Sequence, residues 1–294
     1  MADLGFIGLG VMGGRLAGRL IDAGHQVTGY NRTRSRAEWL VERGMRLAAS
    51  PREVTRASEI TFSMVSDPGA LREVTEGTDG VLAGLGPGQV YVVMSTVGPL
   101  LIEELAATVA GAGADLVDAP VMGTVATLER GKLDVIMLGG DPEVCERVRP
   151  FAGEFARKVV HVGASGKAML LKAGMNLSLP VQMVAFAEGL LLAEKAGIPR
   201  EVALEAMLAS PTTSQATANR IPLLEELPEE PWFDVRMMQK DLELALERGR
   251  ALGVPMPMTA AANQLLTACR GMGYEKEDFV ALYYLLARLA GVDR

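Results

Sequence analysis

Residues 4–30, LGFIGLGVMGGRLAGRLIDAGHQVTGY, decide the fold. Leu4 to Ile7 is short and mostly apolar, as a strand buried on both faces must be. Gly8, Gly10 and Gly13 follow at once, and an apolar helix is predicted from about Met12 to Ala23, stopped by Gly24. Val27 to Tyr30 then reads as a second strand. Strand, glycine turn, helix and strand in that order form the opening of a parallel α/β sheet.

In this setting each glycine has its own task. Gly8 permits the tight turn, Gly10 lets backbone approach a pyrophosphate, and Gly13 lets helix and strand pack closely. The first N–H groups of the helix have no carbonyl inside it and face a bound phosphate. Gly8, Leu9, Gly10, Val11, Met12 and Gly13 are therefore expected to hold a dinucleotide, the plainer alternative being an ordinary tight turn. The second strand ends in Asn31-Arg32-Thr33-Arg34-Ser35-Arg36, where an NAD-binding chain usually offers Asp or Glu to the ribose hydroxyls. No carboxylate repels a 2′-phosphate here, and guanidinium and hydroxyl groups can receive one. NADP(H) is the expected cofactor, with Asn31, Arg32, Thr33 and Arg36 at its ribose; otherwise the run is a solvated basic helix start.

Outward from this unit the alternation continues. Ser50-Pro51-Arg52-Glu53 is a capping box with proline at the first helical position. Strands are predicted at Ile60 to Val65, Val90 to Met94, Asp115 to Ala119, Asp134 to Leu138 and Val159 to Val162. Helices are predicted after Asp67-Pro68, from Leu100 to Ala110 and from Pro142 to Phe151. Met64, Val65 and Thr96 lie at carboxyl ends of strands, where open parallel sheets bind ligands, so they are expected beside the cofactor, with Thr96 also near the substrate.

Beyond Gly163 only helical patterns remain: Ser165 to Gly197, Arg200 to Ala209, Pro231 to Leu252, Met258 to Met272 and Lys276 to Leu289. The fold class is α/β, an N-terminal Rossmann dinucleotide-binding domain (residues 1–164) followed by an all-α domain (165–294) and joined by a long interdomain helix. In that helix Ser165 is the expected N-cap and Pro180 the expected kink. Lys172 and Asn176 sit one turn apart on one face of an otherwise apolar run. An ammonium there either snorkels its head to water or donates a proton in a cleft between the domains, with Asn176 holding a substrate oxygen.

Composition narrows the classes. The chain has 294 residues, 49% hydrophobic and 22% charged, enough for a real core and a soft prior of two domains. A net charge of −7 argues against nucleic acid or anionic membrane as the main partner. Two cysteines in no metal or disulfide spacing suit a reducing cytoplasm, and two histidines leave little for a histidine triad or metal site. The glycine-broken start does not read as a signal peptide, and the apolar run between Lys172 and Glu188, interrupted by Asn176, Ser178, Pro180 and Gln182, reads as too short for a membrane span.

Four ordered stretches together resemble the β-hydroxyacid dehydrogenase family nearly end to end. GFIGLGVMG resembles its cofactor loop, and DAPVMG (Asp118 to Gly123) its substrate loop, usually written with serine where Met122 stands. GKAMLLKAGMN resembles its catalytic helix and QKDLELAL (Gln239 to Leu246) its C-terminal signature. The Asn31-Arg32-Thr33 run and the spacing around Lys172 are most similar to the glyoxylate and succinic semialdehyde reductase branch. The resemblance implies Lys172 as general acid/base and a substrate held by Thr96, Met122, Gly123, Thr124, Asn176 and Asp241. It also implies Lys240 reaching the cofactor, no metal, and a small aldehyde acid or its hydroxy acid as substrate. Met122 cannot supply the serine hydroxyl that helps hold a substrate carboxylate, although Thr124 stands two residues further on.

Two other readings stay open. One is a reductase of imines or less polar carbonyls, which Met122 favours and Lys172 disfavours, since imine reductases usually carry Asp or Tyr there. The other is a cofactor-binding scaffold without turnover. The amount of apolar helix in the second half predicts a homodimer or higher homo-oligomer.

Overall fold

The computed structural model describes residues 1–292. The chain divides into two compact units, Met1–Lys172 and the residues from Ala173 onward. The first unit runs β1 (Asp3–Ile7), α1 (Val11–Asp22), β2 (Gln26–Tyr30), α2 (Glu38–Val41), β3 (Arg46–Leu47), α3 (Pro51–Arg56), β4 (Ile60–Ser63) and α4 (Pro68–Glu76). It continues with β5 (Val90–Val93), α5 (Pro99–Gly111), β6 (Asp115–Asp118), β7 (Val121–Met122), α6 (Val125–Glu129), β8 (Leu133–Gly139), α7 (Pro142–Phe155) and β9 (Ala156–Gly163).

Six strands pair in parallel in the order β3-β2-β1-β4-β5-β6. β8 then joins β6 antiparallel, and carries β7 antiparallel and β9 parallel. The order reverses between β1 and β4, and open α/β sheets bind ligands at the carboxyl ends of strands beside such a reversal. The loops after Ile7 and Ser63 meet there.

Both faces of the sheet are covered, so β4 and β5 are buried at every residue. Alternate side chains serve opposite faces: Val90 and Val92 pack with Phe6, Phe62, Leu16 and Leu20, while Tyr91 and Val93 pack with Ile7, Ile102 and Leu105. The fully buried Tyr91 phenol in that second layer is bonded to the Thr75 hydroxyl at 2.9 Å. Helix starts follow their sequence signals. Ser50 accepts from the Glu53 N–H at 3.3 Å, and the Glu53 carboxylate takes the N–H of Ala49 rather than that of Ser50. Asp67 accepts from the Ala70 N–H at 2.9 Å.

The predicted long helix spans Lys167–Lys195, with one interruption at Leu177 that divides it into α8 (Lys167–Asn176) and α9 (Ser178–Lys195). The break precedes the predicted kink because Pro180 lacks the N–H that would bond the Asn176 carbonyl, and its ring crowds that carbonyl. The Ser178 hydroxyl donates instead to the Met175 carbonyl at 2.7 Å. Ser165 is not the cap of α8: its hydroxyl points toward the Leu116 carbonyl at 3.5 Å. The first turns of α8 belong to the first unit, where Met169 joins the β5–α5 core.

The second unit is helical: α9, α10 (Arg200–Ala209), α11 (Gln215–Ala218), α12 (Val235–Leu252), α13 (Pro257–Gly271) and α14 (Ala281–Leu289). Its core gathers Leu190, Met238, Leu242, Leu266 and Leu282. Two predicted helix starts were too early. α12 begins at Val235 because Asp234 caps it, accepting from the Met237 N–H at 2.6 Å. Residues 276–280 are not helical: Glu277 accepts from the Val235 N–H, Phe279 donates to Phe233, and the buried Asp278 carboxylate takes the N–H groups of Phe233 and Val280 and pairs with Arg220.

Candidate cofactor and substrate site

The glycine loop is packed as the sequence predicts. Gly8 has φ of +88°, and a Cβ there would lie 2.2 Å from the Met64 carbonyl oxygen. A Cβ on Gly13 would lie 2.0 Å from the Gly8 carbonyl. Over Gly10 a Cβ would meet nothing within 4 Å, so the backbone is open to a ligand just where α1 begins. α1 has no side-chain cap and no acidic residue in its first turn, which leaves the N–H groups of Val11, Met12 and Gly13 outside its ladder and suited to an anion. Val11 is exposed and Met12 half-buried. A groove of roughly 730 Å³ opens beside Gly10 and Val11, walled by Arg15, Arg36, Trp39 and Leu128.

At the ribose end the candidate residues separate into two kinds. The Asn31 side chain accepts from the Leu9 N–H at 3.0 Å and donates to the Thr33 carbonyl at 2.8 Å, so it braces the loop against the end of β2. Arg34 donates to the Ala48 carbonyl. Arg32, Thr33 and Arg36 are exposed, and the two guanidiniums can turn toward a phosphate. The Val65 N–H is bonded to the Ser95 hydroxyl at 2.8 Å. That bond ties the loops after β4 and β5 together, so Val65 offers a side chain and a carbonyl but no free N–H. Met64 and Thr96 are half-buried on the same two loops.

Lys172 is only 8% exposed, which rules out the snorkelling reading. Its ammonium donates to the Val121 carbonyl at 2.8 Å and to the Met122 sulfur at 3.0 Å. Lys172 and the Asp118–Gly123 loop are thus in contact, through the residue that departs from the usual serine. α8 also carries Asn176 one turn beyond Lys172. In the second unit Asn176 Nδ2 donates to Asp241 Oδ2 at 2.6 Å, and the Lys240 ammonium lies 3.0 Å from Asp241 Oδ1. A carboxylate accepts only, so Asp241 fixes which end of the Asn176 amide faces it. Asn176 Oδ1 is left buried without a protein partner, and such an acceptor costs about 1–3 kcal/mol unless a ligand supplies a donor. No cluster of His, Cys, Asp and Glu suited to a metal occurs among the described residues, and both cysteines are free and buried.

Comparisons with known proteins bear on both units. Residues 3–163 match the family model described as the NAD binding domain of 6-phosphogluconate dehydrogenase. Residues 166–286 match that described as the NAD-binding of NADP-dependent 3-hydroxyisobutyrate dehydrogenase. The chain is 32% identical over 280 residues to glyoxylate/succinic semialdehyde reductase 1 of Arabidopsis thaliana, covering 95% of this chain and 96% of that one. It belongs to the β-hydroxyacid dehydrogenase family. It is also 34% identical over 283 residues to the cytokine-like nuclear factor N-PAC of Homo sapiens, covering 95% of this chain but 50% of that protein. Among solved structures, the 3-hydroxyisobutyrate dehydrogenase of Mycobacterium tuberculosis with L-serine superposes with a TM-score of 0.86 at 27% identity, covering 97% of this chain and 99% of that one.

For a β-hydroxyacid dehydrogenase the candidate substrate loop has features that sequence reading missed. The Thr124 hydroxyl is already engaged as the cap of α6: it accepts from the Thr127 N–H at 3.2 Å and is bonded to the Thr127 hydroxyl at 3.0 Å. Any role in place of the usual serine therefore competes with that cap. Gly123 adopts φ of +134°, and a Cβ there would crowd Leu133 at 2.9 Å. α6 is held to α1 by Arg19, which donates to the Leu128 carbonyl at 2.6 Å, and by the Arg15–Glu129 pair at 2.7 Å. The latter is exposed and contributes less than about 1 kcal/mol, so buried Leu128 and the Arg19 bond do most of the holding. A further feature is Asp118, the first residue of DAPVMG, which has no task in the sequence reading. It is fully buried and accepts the N–H groups of Gly166 at 2.8 Å and Met169 at 2.9 Å. A carboxylate closing a buried strand beside Ala-Pro was the available signal, since buried charges need partners.

Proposed function

We propose that this dehydrogenase is an NADPH-dependent reductase of small aldehyde acids of the glyoxylate or succinic semialdehyde type, running in reverse on the hydroxy acid. The observation that carries the reading is Lys172, a buried ammonium held on the substrate loop. When bound, the nicotinamide cofactor supplies or takes up the hydride. Lys172 gives a proton to the carbonyl oxygen as negative charge develops on it, so that aldehyde, hydride and proton make the alcohol. Asn176 Oδ1, turned away from Asp241 by the bond its Nδ2 makes there, is the acceptor for the hydroxyl so formed. The Val11, Met12 and Gly13 N–H groups receive the pyrophosphate, and Arg32 and Arg36 the 2′-phosphate.

Turnover of NADPH and NADH across a panel of aldehydes, keto acids and cyclic imines tests this reading. NADPH is expected to give the higher kcat/KM, and Arg32→Asp should lower the NADPH-to-NADH ratio about tenfold or more, the size of a lost charge-assisted bond. A clear NADH preference in the wild type contradicts the cofactor assignment. Faster turnover of imines than of any acid contradicts the substrate class and favours the second reading, a reductase of less polar groups, which rests on Met122. An absence of turnover on the whole panel leaves the scaffold reading.

The chain is also proposed to work as a homo-oligomer. Lys167–Lys195 is long and apolar enough by composition to cross a bilayer, yet only 39% of its most apolar stretch is buried within one chain. Leu192, Val202, Leu252, Met258 and Leu289 are exposed on the same helical unit. A second copy covering such apolar surface is the economical solution for a protein of this family. Light scattering at micromolar concentration should give at least twice the chain mass, and a monomer there refutes it.

A further inference from the structure

We infer that Asp118 is a positioning residue for the proton donor: by accepting the Gly166 and Met169 N–H groups it fixes the first turn of α8, and with it the reach of Lys172 to the substrate loop. The inference rests on the reading of Lys172 as proton donor.

The geometry is closed on every side. Asp118 ends β6, in register with Val93 of β5 on one side and Gly139 of β8 on the other. A Cβ on Gly139 would lie 2.3 Å from Asp118 Oδ1, so the neighbouring strand leaves room for the carboxylate only because residue 139 has no side chain. One carboxylate oxygen takes Gly166 and the other Met169. The two bonds pin both ends of the first turn of α8, where helical N–H groups have no partner of their own and the positive end of the helix dipole lies. Lys172 stands one turn beyond Ala168 on that helix, and its ammonium returns to Val121, three residues after Asp118 in the chain. β6, the substrate loop and α8 therefore form a closed circuit with Asp118 at one corner and Lys172 at the other.

The circuit depends on the carboxylate's charge. Burial pushes Asp118 up to about 6, against the pull of the backbone N–H groups. Above that value both oxygens accept as a charged carboxylate; below it one becomes an O–H and accepts its N–H more weakly, so the first turn loosens as pH falls. Ionisable groups on the surrounding elements are few. Cys145 on α7 has its thiol pushed up to about 11, by burial first and then by Asp118 and Asp141. Glu103 on α5 lies beside Gly166, Lys167 on α8 beside Gly163, and His161 on β9 bonds the Gly140 carbonyl. Val93 and Gly139, the strand neighbours, carry no charge.

Asp118→Asn tests the inference in the full-length enzyme, since the amide keeps the shape but turns an N–H₂ toward one of the two N–H groups. The kcat is expected to fall about ten- to hundredfold, as for an ångström-scale misplacement of a reacting group, with the NADPH dissociation constant unchanged. The acid limb of wild-type kcat, falling as pH drops through about 6, should be absent from the variant. In a Lys172→Ala background the same substitution should have no further effect. An equal loss in both backgrounds, or a loss of kcat matched by loss of folded protein, overturns the inference while leaving Lys172 its role. Normal turnover of Lys172→Ala alone removes that role instead. Where Asp118→Asn does not fold, Gly139→Ala displaces the same carboxylate, and it should give the same selective fall in kcat; unchanged kcat in a folded Gly139→Ala enzyme counts against the positioning role.

Discussion

Lys172→Ala is expected to lower kcat by roughly 10² to 10⁴, the usual contribution of a positioned general acid, while NADPH binds almost as before. The expectation comes from the surroundings of the ammonium. A lysine that merely covered apolar surface would carry its head into water, whereas this one is buried and donates to the Val121 carbonyl and the Met122 sulfur. These two bonds set the ammonium against the backbone and side chain of residues 121 and 122, where a proton can be passed to a developing alkoxide. Lys172→Arg should not restore turnover, because guanidinium is a poor acid near neutral pH and its planar fork does not fit a site made for a point charge. Stopped-flow measurement of the hydride step, alongside cofactor binding by fluorescence, checks the split between chemistry and binding. Near-normal turnover of the alanine variant would falsify the assignment of Lys172.

Met122→Ser is expected to raise kcat/KM for small aldehyde acids by roughly 10- to 150-fold, corresponding to about 1.5–3 kcal/mol for a hydrogen bond to a charged oxygen. The wild type should accordingly show high KM for glyoxylate. Two observations set the size of the effect. The Thr124 hydroxyl is occupied in capping α6, so the existing loop compensates poorly for the missing serine. The Met122 sulfur also accepts from Lys172 at 3.0 Å, and a hydroxyl there would free a stronger acceptor and more room beside the ammonium. Steady-state kinetics of both enzymes on the same acids decide it. If serine leaves the acids unchanged, the carboxylate is not held near residues 122 to 124, and the apolar thioether instead marks a less polar substrate.

Much of this molecule was legible from its sequence because local chemistry and global fold agree in it. The β1–α1–β2 unit, the alternation that follows it and the helical character of the second half follow from periodicity, glycine positions and capping residues. What was hidden depends on long-range partners. The early start predicted for the last helix ignored the bonds between residues 233–235 and 277–279, which are remote in sequence. The break at Leu177 comes from a proline three residues later, acting on a carbonyl behind it. At the site, Lys172, Asn176 and Asp241 could be named, but not that Asp241 orients the Asn176 amide, nor that Ser95 consumes the Val65 N–H. Asp118 was invisible as a cap because a side-chain cap is usually sought beside the helix it serves, and this one comes from a strand 48 residues earlier.

The brace made by Asn31 bears on how such a chain can change its coenzyme during evolution. Position 31 is where an acidic residue would grip the ribose of the unphosphorylated coenzyme, yet its amide here joins two loops through one donated and one accepted bond. An aspartate could still receive the Leu9 N–H, but its second oxygen would be set against the Thr33 carbonyl, two acceptors facing each other. A carboxylate at position 31 would therefore cost the turn one of its two bonds. A lineage that placed an acidic residue at position 31 would have to rebuild the turn after the second strand as well.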